Sequence, residues 1–140
     1  MTQVDFYLLS QDNETARLQF SCRLVEKIYK KGHRLHICAE NQQQLNQLDD
    51  LLWTFRQGSF VPHEKNTYDE QVPVSLSMDA ANPPKNHDIL LNLAPSIPQN
   101  PGLYQHIAEM VAADESSKAN ARQRFKAYRQ QNIIIETHTL

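Results

Sequence analysis

Short apolar runs of strand length alternate with segments of helical period along the first third of the chain, and this alternation limits the fold more than any other feature. Val4 to Leu9 (VDFYLL) is an apolar run broken only by Asp5, as expected of a strand covered on both faces. Behind it SQDNET offers Ser10, Asp12 or Asn13 as a helix N-cap. From Ala16 to Lys31 the residues Leu18, Cys22, Val25 and Tyr29, joined by Phe20, Leu24 and Ile28, recur at helical spacing, and Gly32 stands where a C-cap glycine belongs. HRLHICAE then reads as a second, mostly buried strand. Leu45, Leu48, Leu51 and Leu52 form the stripe of a second helix that ends near Trp53. Strands and helices in this order need crossover connections, which lay helices over the faces of a largely parallel sheet. The expected class is therefore α/β.

Beyond Thr54 the pattern breaks into TFRQGSFVPHEKNTY, longer than a compact domain usually leaves without a function. Val72 to Ser77 alternates like a strand, DAANPPKNH is a turn-rich connector, and Asp88 to Ala94 (DILLNLA) is the most continuously apolar run, expected at the centre of the sheet. Pro95, Pro98 and Pro101 punctuate the next crossing. The segment GLYQHIAEMVAADESSKANARQRFKAYRQQ reads as one or two helices, and NIIIETHTL as a closing strand. At 140 residues the chain fits one domain, residues 1–140.

Several function classes are disfavoured at this level. A net charge of -2 gives no global field to hold a phosphate backbone, so general DNA coating is not expected. A phosphate cradle needs a glycine-rich turn, and the turn after the first strand is SQDNE in a chain with only 3 glycines. No nucleotide-binding loop is present. His33 and His36 lie three apart in a predicted strand, which sends them to opposite faces, so they read as surface or capping groups and not as a chelating pair. No GxSxG elbow or activated cysteine is visible, and no catalytic residue, cofactor or metal is expected. Cys22 and Cys38 belong to no CxxC or Cys/His cluster and read as reduced thiols of a cytoplasmic protein. The N-terminus has an acid ahead of its short apolar run and no small-residue cleavage site, which argues against a signal peptide or membrane span.

Two features look like binding surfaces. Between Lys118 and Arg129 stand five cations (Lys118, Arg122, Arg124, Lys126, Arg129) and no acid, so this helix is formally +5 and the rest of the chain -7. On a helical wheel Lys118, Arg122, Phe125 and Arg129 share one stripe, Lys126 borders it and Arg124 points away. Such a stripe suits an acidic peptide with an apolar end, since guanidinium groups take carboxylates bidentately beside a ring. The competing expectations are a solvated face with Phe125 turned into the core, or a direct single-stranded nucleic-acid surface over 118–129. The second feature is the aromatic and proline content of Trp53, Phe55, Phe60, Val61, Pro62 and His63, which reads either as core or as an exposed patch for a protein partner.

VDFYLL, LDDLLW followed by SFVPH, HDILLNL and the ARQRFKAYR helix, in that order over nearly the whole chain, resemble the chi subunit of bacterial DNA polymerase III. The resemblance implies a Rossmann-like three-layer sandwich, a mostly parallel central sheet with helices on both faces, and no nucleotide chemistry. It also implies a non-catalytic subunit that pairs with psi, reaches the clamp-loader complex through psi, and binds the acidic C-terminal tail of single-stranded DNA-binding protein, with nucleic acid contacted mainly indirectly and no membrane. Carried over by motif, the tail-binding cations are Lys118, Arg122 and Lys126, with Phe125 where the family has tyrosine; Arg124, Tyr128 and Arg129 match the same string. The tail set is thus Lys118, Arg122, Phe125, Lys126 and Arg129. For psi the resemblance implies Trp53 and Phe60, with Val61 and Pro62 as neighbours. Between Asn66 and Pro84 the chain departs most from the family.

Overall fold

The computed structural model describes residues 1–140, and it holds one seven-stranded sheet in which every neighbouring pair is parallel. The elements run β1 (Gln3–Leu8), α1 (Glu14–Lys30), β2 (Leu35–Cys38), α2 (Gln42–Thr54), β3 (His63–Lys65), β4 (Val74–Ser77), β5 (Ile89–Asn92), β6 (His106–Val111), α3 (Glu115–Gln130) and β7 (Ile134–Thr139). Across the sheet the order is β3-β4-β2-β5-β6-β1-β7, which puts the apolar run ILLN of β5 in the middle, as its composition requires. The α/β sandwich is the one the sequence predicts.

Local chemistry fixes the helix ends. Asn13, one of the three candidate caps, accepts a hydrogen bond from Ala16 N at 2.8 Å, and Asn41 does the same for Gln44 N at 2.8 Å. At the far end of α1 the chain turns left-handed at Gly32, φ 87°, with Gly32 N donating to Tyr29 O at 2.9 Å and His33 N to Ile28 O at 3.3 Å. A side chain here would meet no neighbour but would be strained by the positive φ.

Alternation along the strands divides the core in two. Leu35, Ile37, Leu91, Ala108 and Met110 face one way and pack with Leu18, Cys22 and Val25 of α1 and Leu45, Leu48 and Leu52 of α2. Val4, Phe6, Leu90, Ile107 and Val111 face the other way against Ala121 and Tyr128 of α3. Both thiols are buried and unpaired, and burial pushes Cys22 up to about 12 and Cys38 up to about 11. No helix is long and apolar enough to cross a membrane.

The structure corrects two stretches of the sequence reading. Helix was expected from Gly102 onward, but after a 3-10 turn at Pro101–Leu103 the residues HIAEMV form β6, buried between β5 and β1. Ala, Glu and Met favour helix locally, and pairing on both sides outweighs that preference. The long loop also contains β3, three residues that pair with β4 at the sheet edge.

His36 is a further correction, being neither superficial nor a cap. Its ring is buried under the connector after β4, with Nδ1 2.6 Å from Ser75 Oγ and Nε2 3.0 Å from both the Asp79 carbonyl and Ser77 Oγ. His87 is also buried, 2.7 Å from the Val72 carbonyl through Nε2. Burial pushes the His36 pKa down from 6.5 to about 4, partly offset by the Asp79 carbonyl. The folded ring therefore binds a proton less readily than the unfolded one. Its contribution to stability is whole above about pH 6.5 and drains away as the pH falls toward 4. Between pH 7 and pH 5 this ring alone costs the fold on the order of 2 kcal/mol. Urea titrations at the two pH values should show that loss, and His36→Gln, less stable at pH 7, should show a smaller one.

Candidate functional site

Glu109 lies fully buried in β6 on the face that α3 covers. Three side chains donate to its carboxylate: Arg124 Nε to Oε1 at 3.0 Å, Tyr128 Oη to Oε2 at 2.6 Å and Asn92 Nδ2 to Oε2 at 2.9 Å. Arg124 is completed by a bond from Nη1 to Asn120 Oδ1. Burial pushes the Glu109 carboxyl up while Arg124, Tyr128 and Asn92 pull it back, and the same burial with the facing carboxylate pushes the Tyr128 phenol up. Tyr128 thus stays a donor at neutral pH. Arg124, which the wheel sets apart from the other cations, is spent inside the protein.

Pinning Arg124 and Tyr128 inward turns the opposite flank of α3 outward. Lys118, Arg122, Lys126 and Arg129 are exposed, and none of them makes a salt bridge. Phe125 is half-buried, its ring 5.7 Å from Phe6, with the Arg129 guanidinium 6.0 Å from its centroid. It is part of the core edge and of the surface at once. Between α3 and β7 opens a cleft of about 330 Å³ lined by Phe6, Leu8, Ala121, Arg122, Phe125, Lys126, Arg129 and Thr137. Of the five expected tail residues, four line this cleft. Lys118 does not; it stands one turn closer to the helix N-terminus.

The aromatic segment lies at the other edge of the sheet. Trp53 at the end of α2 and Phe60 in the loop are 49% and 65% exposed, with ring centroids 5.6 Å apart. Trp53 also covers His63, centroids 4.4 Å apart; that ring is anchored to the Val61 carbonyl at 2.6 Å and the Asp49 carbonyl at 3.0 Å. Pro62 is half-buried beside them. Val61 is 0% exposed and packs in the core beneath α2, so its side chain offers nothing to a partner and instead holds the loop down. Phe55 likewise packs against that core.

Elsewhere the polar clusters are satisfied internally. At the carboxyl ends of β5 and β6, where α/β sheets often bind ligands, the Arg17 guanidinium is taken up by Met110 O at 2.8 Å, Leu93 O at 3.1 Å and Glu14 at 3.0 Å. Asp5, Glu136 and His138 are grouped so that their ligand atoms lie within 4.8 Å of one another, a grouping sequence spacing did not reveal. There the 2.9 Å contact from His138 Nε2 to Asp5 Oδ1 already joins the imidazole to a carboxylate.

The family model of the DNA polymerase III chi subunit, HolC, matches residues 1–136. The chain belongs to this family. It is 36% identical over 141 residues to the DNA polymerase III subunit chi of Pseudomonas aeruginosa, covering 100% of this chain and 98% of the relative. The subunit chi of Escherichia coli is 29% identical over 145 residues (99% of each), and that of Haemophilus influenzae 27% over 137 residues (96% and 95%). Membership supports an accessory role in replication.

The buried network gives a stability test that separates Arg124 from its neighbours on the helix. Arg124→Met leaves Glu109 under-paired in the interior and should cost about 3–5 kcal/mol in urea denaturation. Arg122→Met, at an exposed site without an acidic partner, should change stability by less than about 0.5 kcal/mol.

Proposed function

We propose that the chain is a non-catalytic, cytoplasmic accessory subunit of the DNA polymerase III holoenzyme. On this reading it pairs with the psi subunit through Trp53 and Phe60, flanked by Pro62, and reaches the clamp-loader complex through psi. It captures the acidic C-terminal tail of single-stranded DNA-binding protein on α3. The observation that carries the reading is the apolar cleft between α3 and β7, rimmed by Arg122, Lys126 and Arg129, none of which has an acidic partner of its own. A peptide ending in phenylalanine supplies what this arrangement lacks: an aromatic side chain for the slot, a terminal carboxylate for a guanidinium, and acids for the remaining cations. Lys118 extends the line of positive charge beyond the cleft. Phe125, where the family has tyrosine, keeps the ring and gives up the hydroxyl. Rim charges of this kind are screened over about 8 Å at physiological ionic strength, so added salt should weaken the contact.

The geometry also supports two partners at once. Six strand spacings of about 4.8 Å separate β3 from β7, which sets the aromatic patch and the cleft roughly 29 Å apart across the sheet. Partners at the two edges need not collide.

Fluorescence anisotropy with an acidic peptide ending in Asp-Ile-Pro-Phe, the same peptide without its final Phe, and a bare single-stranded oligonucleotide tests the tail reading. The full peptide should bind, the truncated one weakly, and Arg122→Ala should lower affinity about tenfold with the fold intact. Binding of the oligonucleotide but not the peptide would replace this reading with direct use of the 118–129 helix on phosphates. Trp53→Ala and Phe60→Ala should each impair co-purification with psi and leave peptide affinity unchanged; loss of both activities would mean a misfolded variant.

A further inference from the structure

The two edges of the sheet are built differently. β3 is three residues long, follows Pro62, and carries Glu64 and Lys65, whose Nζ reaches Asn46 Oδ1 at 3.1 Å and Asp49 at 3.8 Å. Short length, charge and a preceding proline are the usual means of keeping an edge from pairing with another chain. β7 has neither the shortness nor the proline, and Glu136 is its one acid. It runs six residues as IIETHT, directly after Ile133, with no Lys, Arg, Pro or Gly, and Ile134 is 48% exposed. It is the longer edge, and it borders the cleft.

The register decides which backbone groups of β7 are free. Leu140 N donates to Leu8 O at 2.9 Å, continuing a ladder in which Ile134 stands opposite Gln3 and Thr139 opposite Leu8. In a parallel ladder alternate residues turn both N–H and C=O to the same neighbour. Ile134, Glu136, His138 and Leu140 therefore spend theirs on β1, while Ile135, Thr137 and Thr139 turn theirs outward to the open edge. The outward residues are also those whose side chains face α3: Ile135 packs against the core there and Thr137 lines the cleft. Free backbone, apolar slot and the cations of Lys126 and Arg129 meet at one line.

We propose that the acidic peptide taken up by this cleft binds as an added strand on β7, pairing its backbone with Ile135, Thr137 and Thr139. This rests on the acidic-tail reading above and adds the mode of recognition to it. In strand addition the main chain contributes affinity and alternate side chains contribute specificity. A residue of the added strand that points to the α3 side stands next to Thr137 at the mouth of the slot, where an aromatic reaches Phe6 and Phe125. Acidic residues an even number of positions from it share its side and fall beneath the cations of α3, while those between them project from the opposite face. Glu136, the charged side chain of β7, projects from the opposite face, where Asp5 and His138 lie, and so does not repel the acids beneath α3. Affinity then depends on an extended peptide conformation as well as on composition.

Residue-resolved amide exchange on the full chain, with and without the peptide ending in Asp-Ile-Pro-Phe, reads the pairing directly. Without peptide, the amides of Glu136 and His138 should be protected by β1 while Ile135, Thr137 and Thr139 exchange freely; with peptide, these three should become protected. A second measurement uses two versions of the peptide methylated on alternate backbone nitrogens. One set should lose affinity by about tenfold or more and the other bind within about twofold of the parent, since only alternate nitrogens face β7. Tight binding with unchanged exchange at Ile135, Thr137 and Thr139, or equal effects of the two methylated sets, overturns strand addition and leaves the tail reading standing. Failure of the unmodified peptide to bind overturns the tail reading and strand addition with it.

Discussion

A carboxylate in the middle of a buried parallel strand sets the outward face of this protein. Glu109 has no water to solvate it, so its charge is tolerable only with donors at hand, and Arg124, Tyr128 and Asn92 provide them. Two of the three come from α3, one turn apart. Satisfying them fixes the rotation of that helix about its axis and leaves Arg122, Phe125, Lys126 and Arg129 on the flank above β7. An apolar residue at position 109 would pack the same helix with less angular definition, because dispersion contacts are not directional.

Much of the architecture was legible in the sequence, and the exceptions share a cause. Asn13, Gly32 and Asn41 mark helix ends by short-range chemistry, and ILLN announces a central strand by composition alone. HIAEMV misled because its residues favour helix while its neighbours in space, β5 and β1, come from segments far away in the chain. His36 misled in the same way: its burial depends on Ser75 and Ser77, some forty residues on. For the candidate cleft, the helical wheel already separated Arg124 from the other cations; what it lacked was Phe6, Leu8 and Thr137, contributed by both ends of the chain.

The three helices do not cover the seven strands evenly, and the arrangement assigns different work to the two faces. On one face α1 and α2 seal β2, β4, β5 and β6 with leucine-rich stripes. On the other, α3 covers β6, β1 and part of β7, and the connector from Asp79 to His87 closes over β2 and β4 by pinning His36 and accepting the Tyr104 hydroxyl at Ala80 O, 2.6 Å. β7 is left half-covered. The open strip beside α3 follows from having one helix where a doubly covered sheet would use two.

Trp53 is the one tryptophan of the chain, and its ring rests on His63 and Phe60 at the β3 edge. Indole emission from this protein therefore reports on a single place. It responds to solvent around the aromatic patch, and it is too distant from the α3 flank to sense occupancy there. The fold carries its own optical label on the aromatic patch, and the cleft beside α3 is silent.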